Sequence, residues 1–259
     1  MSNLNYPDKI IELVENNFSG SSELLEKLLT IFLDDISLLK NDELLLSLKN
    51  ELNNFAAIQN FLNKIILIEE NSRFDFINNY LSNFNNEIER IYKNFIIEII
   101  PSSLLTISNS YTIQKVIEKL FENNPKLEVT VCESRPILEG RILTEKLSCA
   151  GIKTRLITEA QIPISIFNCD CAIVGADKIL SNGNVVNKVG SKLIAICSAY
   201  YNKPFYVVST KNKLTDENKF IEDEKPIEEI YQTGNKLIQI TNNYFEEIDS
   251  SLITKIITD

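Results

Sequence analysis

The sequence predicts an α/β protein in which a helical N-terminal part precedes a parallel sheet covered by helices on both faces. Apolar residues recur at helical spacing up to about residue 98, with no proline between Pro7 and Pro101. After Pro101, short β-branched runs alternate with segments of helical period, which is typical of a parallel sheet. A chain of 259 residues is long enough for two domains, and we favour two.

The N-terminal part is predicted to contain successive helices. Apolar residues at three- and four-residue spacing mark a first helix around residues 10–14 and a second over 24–32. Between them, Gly20 and the serines on either side break the first helix and supply hydroxyl caps for the second. Residues 44–68 and 74–100 are predicted to form two further helices.

The C-terminal part is predicted to alternate strands with helices. The predicted strands cover residues 104–107, 127–132, 153–157, 171–174 and 205–208. The predicted helices cover residues 112–121, 141–150, 161–167 and 189–200. Residues 236–259 are expected to add one short strand and a terminal helix.

The acidic composition restricts the partners. A net charge of −10 and a pI near 4.8 argue against a broad surface for nucleic acid or an anionic membrane, because contacting phosphates there requires a basic face. No apolar run approaches the roughly 20 residues of a membrane span. Residues 1–9 are polar and lack the apolar segment of a signal peptide, which favours a cytoplasmic protein. We therefore expect no direct nucleic-acid partner and no membrane, although a local anion pocket is compatible with this charge.

The cysteines and the absence of histidine restrict the chemistry. Five cysteines lie in apolar segments, and we expect reduced core thiols. Cys169 and Cys171 alternate along a predicted strand, but no second cysteine pair completes a zinc site. Without histidine, a Ser-His-Asp triad, a Cys-His dyad and a histidine-ligated metal are excluded. We expect no metal and no cofactor.

Two strand-to-helix junctions concentrate the unusual residues. Glu133-Ser134-Arg135-Pro136 leads to Gly140-Arg141, and Gly175-Ala176-Asp177-Lys178 leads to Asn187-Lys188-Val189-Gly190-Ser191. Each junction follows an apolar strand, so its charged groups should lie at the carboxyl ends of parallel strands, where open α/β sheets bind ligands. A guanidinium, a carboxylate, an ammonium and helix N-termini at that edge predict a pocket for a small phosphorylated molecule.

In the first junction, Arg135 and Gly140-Arg141 are candidate ligand-binding residues. The guanidinium of Arg135, held before a proline, suits a bidentate bond to a phosphate or carboxylate. The alternative is a surface ion pair with Glu133 or Glu139. Gly140 and Arg141 open the next helix and allow close backbone approach to an anion, or they are an ordinary helix start.

In the second junction, Asp177 is the strongest candidate for acid/base work. It follows an apolar strand and emerges at the sheet edge beside apolar walls. The alternative is a capping role or an ion pair with Lys178. Asn187 and Lys188, next to a glycine-opened helix start, form a second anion cradle, although a lysine on a turn is usually only solvated.

Together these motifs resemble the family that unites regulatory subunits of translation initiation factor 2B with aldose-1-phosphate isomerases. The resemblance covers most of the chain and is strongest over residues 104–209. Its motifs are Cys132-Glu133-Ser134-Arg135-Pro136, Gly140-Arg141, Val174-Gly175-Ala176-Asp177, Asn182-Gly183, Asn187-Lys188-Val189-Gly190-Ser191 and Pro204-Phe205-Tyr206-Val207.

The resemblance implies a fold and a reaction. The fold is a helical domain, residues 1–100, followed by a Rossmann-like sugar-phosphate-binding domain, residues 101–259. The isomerases act on methylthioribose 1-phosphate or ribose 1,5-bisphosphate, and a cysteine and an aspartate move protons between C1 and C2. The aspartate matches Asp177, and the cysteine position matches Ser108. Their N-terminal phosphate-binding turn corresponds to the region of Gly20 and Ser21.

Two departures from the isomerase pattern count against efficient catalysis. Ser108 replaces a thiol, and a hydroxyl is a far weaker acid that needs a neighbouring base, which no histidine can supply. The turn at Gly20 and Ser21 also lacks the arginine of the isomerases. Cys132 is a conceivable substitute thiol, but strand alternation favours its pointing into the core.

Three functions therefore fit the sequence. We favour a regulatory, translation initiation factor 2B-like protein that binds a sugar phosphate or nucleotide and has a translation factor as partner. The second is an aldose-1-phosphate isomerase that uses Asp177 as acid/base, and the third is an interaction module with a vestigial pocket. We also expect a homodimer, because residues 205–208 and 238–257 carry more apolar surface than a sheet edge needs, and the family dimerises through this region.

Overall fold

The computed structural model describes residues 7–16, 20–53, 55–222 and 225–259, except for the side chains of residues 84 and 85. Its N-terminal part packs helices around a leucine-rich core that includes Leu28, Leu48 and Phe61. The helices are α1 (Asp8–Val14), α2 (Ser21–Asp34), α3 (Asp42–Glu51), α4 (Ala56–Ile66) and α5 (Glu70–Glu98), with a 3-10 turn at Ile36–Lys40.

The helix predicted over residues 44–68 is in fact two helices, α3 and α4. The Gln59 side-chain amide donates hydrogen bonds to the carbonyls of Lys49 and Leu52, at 2.6 and 3.1 Å. It thereby satisfies carbonyl groups that the end of α3 leaves without helical partners. The break lets α4 fold back so that Leu48 and Phe61 enter the same core.

The C-terminal part is a parallel sheet with helices on both faces, which confirms the predicted fold class. The strands are β1 (Ser103–Ile107), β2 (Glu128–Cys132), β3 (Lys153–Ile157), β4 (Cys171–Val174), β7 (Phe205–Val208) and β9 (Lys255–Ile257). They lie side by side in the order β3-β2-β1-β4-β7-β9, which is the strand order of a Rossmann fold. Two apolar clusters cover the two faces of the sheet. The helices are α6 (Tyr111–Asn123), α7 (Glu139–Cys149), α8 (Ile162–Phe167) and α9 (Ser191–Tyr200).

The chain reverses direction across the sheet between β1 and β4. Strands β2 and β3 extend the sheet beyond β1, whereas β7 and β9 extend it beyond β4. At such a switch point the helices that follow the two strands lie on opposite faces and leave a crevice at the carboxyl ends. Ser108 follows β1 and Gly175 follows β4, so both border this crevice.

A small antiparallel sheet, which the sequence did not predict, forms beside the crevice. It consists of β5 (Lys178–Ile179), β6 (Val185–Lys188) and β8 (Phe245–Ile248). Its strands are short, so they show too few residues of alternation to be recognised. Asn187 and Lys188 therefore belong to a strand rather than a turn, and α9 begins only at Ser191, after Gly190 adopts a φ of +102°.

The predicted terminal helix is wrong, because the segment forms strand β9 instead. Strand β9 pairs in parallel with β7, in a register that places Val208 beside Ile257. This pairing satisfies backbone groups of β7 that an edge strand would leave exposed. Strand β7 is consequently an interior strand with all four residues buried, and the expectation that residues 205–208 form an apolar edge is also wrong.

The cysteines are free thiols, and only Cys149 is exposed. Within the described ranges, no helix is long and apolar enough to span a membrane.

Candidate functional site

Two adjoining cavities lie at the switch point of the sheet. The main cavity encloses about 180 Å³ and reaches Glu139, Lys188 and Tyr244. The side cavity encloses about 30 Å³ and reaches Asn187 and Lys213. Gly20, Ser108 and Asp177 line both cavities, so a ligand in the main cavity can extend a group into the side cavity.

Asp177 lies between the two cavities with a free carboxylate. Its backbone N–H donates to the carbonyl of Val186 at 2.8 Å, which ties the residue to β6. The side chain is partly exposed and makes no hydrogen bond or ion pair to any residue that the structure describes. This carboxylate is therefore available to a ligand.

Lys213, which the sequence analysis missed, contributes a buried amino group to the side cavity. The residue is 3% exposed and ends the 3-10 turn Lys211–Lys213 that follows β7. Burial lowers the pKa of Lys213, and the nearby negative charge of Asp177 partly offsets this effect. Among described residues it has no ion-pair partner within 4.0 Å. Its position after a parallel strand was the available signal.

Two helix N-termini also meet the side cavity. Gly20 caps α2, and Ser21 is its first residue. Ser110 caps α6 by accepting a hydrogen bond from the backbone of Ile113. The N-terminal N–H groups of helices favour anions, so these two ends, which lie beside the Lys213 amino group, favour an anion in the side cavity.

Ser108 is held in an unusual backbone conformation at the end of β1. Its φ is +72°, in the left-handed region that non-glycine residues rarely adopt. The Ser108 backbone N–H donates to the Ser134 hydroxyl at 2.8 Å. The Ser108 hydroxyl donates to Oε1 of Glu139 at 3.2 Å. No histidine can act as the base for this serine, but the Glu139 carboxylate accepts its hydrogen bond and is a basic neighbour.

Glu139 is the second residue that the sequence analysis missed as a site residue. Its Oε1 lies 2.8 Å from Nζ of Lys188, and the two side chains are 3% and 7% exposed. Burial raises the pKa of Glu139, and Lys188 partly opposes this shift. Lys188 Nζ also lies 4.8 Å from the ring centre of Tyr244 and 5.2 Å from that of Phe245. The ammonium is thus largely engaged within the protein.

Asn187 borders the side cavity and braces the start of α9. Its amide donates to the Ser191 hydroxyl at 2.8 Å, and that hydroxyl donates to the Lys188 carbonyl at 2.6 Å. This arrangement fixes the chain that carries Lys188.

The remaining predicted residues do not border either cavity. Arg135 is exposed, and Arg141 is exposed and pairs with Glu133 at 2.7 Å. An ideal Cβ on Gly140 would lie 1.8 Å from the Cys132 carbonyl oxygen, so this glycine permits close packing of α7 on β2. Ligand binding by Arg135, Gly140 and Arg141 stays a prediction. Their position outside both cavities does not favour it.

Cys132 belongs to the core on one face of the sheet. Burial raises the pKa of its thiol, which opposes formation of a thiolate. It does not supply a substitute for the missing family thiol.

Comparison with known proteins adds a family and several relatives. The model of the Initiation factor 2 subunit family matches residues 27–259. The chain is 32% identical over 166 residues to ribose 1,5-bisphosphate isomerase of Archaeoglobus fulgidus, covering 61% of this chain and 52% of the relative. It is 33% identical over 156 residues to methylthioribose-1-phosphate isomerase of Desulforamulus reducens, covering 56% of this chain and 45% of the relative.

Solved structures resemble the whole described architecture. Translation initiation factor eIF-2B of Pyrococcus horikoshii OT3 is 25% identical with a TM-score of 0.82, covering 98% of this chain and 96% of the other. The delta subunit of eIF-2B from A. fulgidus is 22% identical with a TM-score of 0.69, covering 96% and 78%, and it supports the fold alone. The chain spans about half the length of the curated isomerases that it matches.

Proposed function

The chain belongs to the Initiation factor 2 subunit family, and on that premise we propose that it binds a sugar phosphate or nucleotide and acts as a regulatory protein without efficient catalysis. The observation that carries this proposal is Lys213, a buried lysine without an ion-pair partner among described residues, at the meeting point of two helix N-termini. The domains proposed for this function are residues 1–100 and 101–259.

A phosphate group suits the side cavity because it supplies the missing negative charge. A buried ammonium is unfavourable unless it is paired, and Asp177 offsets the cost for Lys213 only in part. Phosphate oxygens can accept hydrogen bonds from Lys213 and from the first N–H groups of α2 and α6. The sugar or nucleoside would then occupy the main cavity, beside Asp177 and Ser108.

The test is a ligand-induced melting shift against a panel of sugar phosphates and nucleotides. A ligand at about 100 times its Kd stabilises by roughly 2.7 kcal/mol, which raises the melting temperature of a chain this size by about 5 °C or more. Lys213→Met should remove the shift. Lys211→Met, in the same turn but exposed, is the matched control and should retain it. No shift with any ligand would favour an interaction module with a vestigial pocket.

Isomerisation of an aldose 1-phosphate is the second candidate function. One observation favours it: Ser108 and Asp177, the two positions implied by the resemblance, line the same cavity. The names of the two isomerase relatives suggest ribose 1,5-bisphosphate and methylthioribose 1-phosphate as substrates to assay. Asp177→Asn should abolish turnover but keep binding, because an amide keeps the shape without exchanging a proton. Ser108→Cys should raise turnover by roughly 100-fold if it restores a positioned acid/base group.

A homodimer remains part of the proposal, but through a different surface. Side chains of α8 and α9 form an exposed apolar patch that we call the α8–α9 surface. Its members are Ile164, Phe167, Leu193, Ile196 and Tyr200, which are 39% to 79% exposed. Exposed apolar patches mark interaction sites, so this surface suits a second copy or a translation-factor partner better than the buried strand β7 does.

A further inference from the structure

We propose that Glu139 is a catalytic base of this chain and takes the part that a thiol plays in the resembling isomerases. The inference rests on the second candidate function above, isomerisation of an aldose 1-phosphate, and not on the regulatory function. Under this proposal, Ser108 donates a hydrogen bond to the base and is not the base itself.

The two oxygens of the Glu139 carboxylate have different surroundings. Oε1 accepts from the Ser108 hydroxyl at 3.2 Å and pairs with Lys188 Nζ at 2.8 Å. Oε2 is buried and has no hydrogen-bond partner among the described residues. Buried carboxylate oxygens are normally satisfied, so an unpartnered one calls for an explanation. With Oε1 held by two donors, Oε2 is the carboxylate oxygen that has no competing donor among the described residues and can take up a proton.

The location of Glu139 matches this role. The side chain lines the main cavity together with Asp177 and Ser108, so both acidic residues border the space that a small sugar would occupy. Asp177 comes from the end of β4, whereas Glu139 begins α7. A proton transfer between adjacent carbons needs such groups on a bound substrate, one at carbon and one at oxygen.

The proposed steps balance without a cofactor. Glu139 takes the C2 proton, the C2–H electron pair forms the C1–C2 double bond, and the bond from C1 to the ring oxygen breaks. The ring oxygen keeps that bonding pair and takes a proton from a water molecule. The Asp177 carboxylate removes the proton of the C2 hydroxyl, a C2 carbonyl forms, and C1 takes the proton held by Glu139. The proton on Asp177 then returns to the hydroxide that the water left. The product is the ketose 1-phosphate, and both carboxyl groups regain their starting states.

The experiment measures turnover and binding of ribose 1,5-bisphosphate by the same variants. Glu139→Gln should reduce turnover by at least about 100-fold, the low end of a positioned acid/base group, while the ligand-induced melting shift persists. Glu133→Gln, at the same junction but paired with the exposed Arg141, should turn over like the parent. The double variant Glu139→Gln with Ser108→Cys should regain turnover, because the thiol supplies a base.

Each outcome decides the proposal. Turnover by Glu139→Gln equal to that of the parent overturns it, as does a parent protein that binds ligand but turns over none of it. If Glu139→Gln fails to fold, Glu139→Asp decides instead: it keeps the charge facing Lys188 but retracts the oxygen, so unchanged turnover overturns the proposal. A failure of the proposed ligand binding can be distinguished from a failure of the catalytic role of Glu139. If ligand binding fails, the parent protein shows no melting shift with any phosphorylated ligand.

Discussion

Glu139 and Lys188 form a buried ion pair, with Nζ 2.8 Å from Oε1, that joins the start of α7 to strand β6. The pair connects the large parallel sheet region to the small antiparallel sheet at the wall of the main cavity. The second carboxylate oxygen of Glu139, Oε2, has no hydrogen-bond partner among the residues that the structure describes. The pair is therefore poorly explained as a stabilising element and better explained as part of a site.

Lys188→Met should destabilise the protein by about 3–5 kcal/mol at neutral pH, because it leaves a buried carboxylate without its cation. The loss should be smaller near pH 5. Burial raises the pKa of Glu139 above its unfolded value, so without Lys188 stability is retained at low pH and falls as pH rises through the folded pKa. Chemical denaturation at the two pH values measures this difference.

Lys178→Met is the control for that experiment. Lys178 is also buried on a strand of the small sheet, but its partner Glu217 is about half exposed, so no buried charge remains after substitution. An equal loss in both variants would contradict the role assigned to the Glu139 carboxylate.

Gly140→Ala should destabilise the protein by about 3 kcal/mol or more, because the new Cβ would lie 1.8 Å from the Cys132 carbonyl oxygen and force α7 away from β2. Gly234→Ala is the matched control, since no described heavy atom beyond its chain neighbours lies within 4 Å of its Cβ position. Denaturant unfolding compares the two variants. A tolerated alanine at Gly140 would show that α7 adjusts freely, contrary to the close packing described.

Glu87→Gln should stabilise the protein at pH 8 but not near pH 4.5. Burial and the neighbouring charge of Asp259 raise the pKa of Glu87 from 4.5 to about 7. The folded protein therefore resists ionisation of this group, and stability is lost as pH rises from 4.5 to about 7. Because the side chain is partly exposed, we expect a gain of only about 1 kcal/mol. Thermal melting across this range measures it.

Glu89→Gln is the control on the same helix. Hydrogen bonding to Lys119 lowers the pKa of Glu89, so its substitution should give no gain at pH 8. A similar gain in both variants would point to a general reduction of negative charge instead of the environment of Glu87.

Ile196→Lys should convert a dimer into a monomer in light scattering at micromolar protein, because it places a charge within the α8–α9 surface. Leu237→Lys, at a residue 92% exposed outside that surface, should leave the mass unchanged. A parent protein that is already monomeric would contradict the dimer, and a dimer that survives Ile196→Lys would place its interface elsewhere.

The local sequence pattern was sufficient to predict most of the C-terminal strands and helices. Strands Lys153–Ile157, Cys171–Val174 and Phe205–Val208 lie where alternation and β-branching predicted them. The tail was misassigned because Lys255–Ile257 is only three residues long, and its extended form depends on pairing with β7. Short strands of this kind are specified by their partners rather than by their own sequence.

The fold class and the positions of Ser108 and Asp177 after strands follow from local sequence, because hydrophobic periodicity and the ends of strands are local properties. Which charges meet there follows from the folded arrangement of the chain. It paired Glu139 with Lys188 and buried Lys213 beside the cavity, while leaving Arg135 exposed. These contacts depend on the order of the strands in the sheet and on the direction of side chains from segments that are distant in the chain. The spacing of residues within one segment gives neither the strand order nor the side-chain direction.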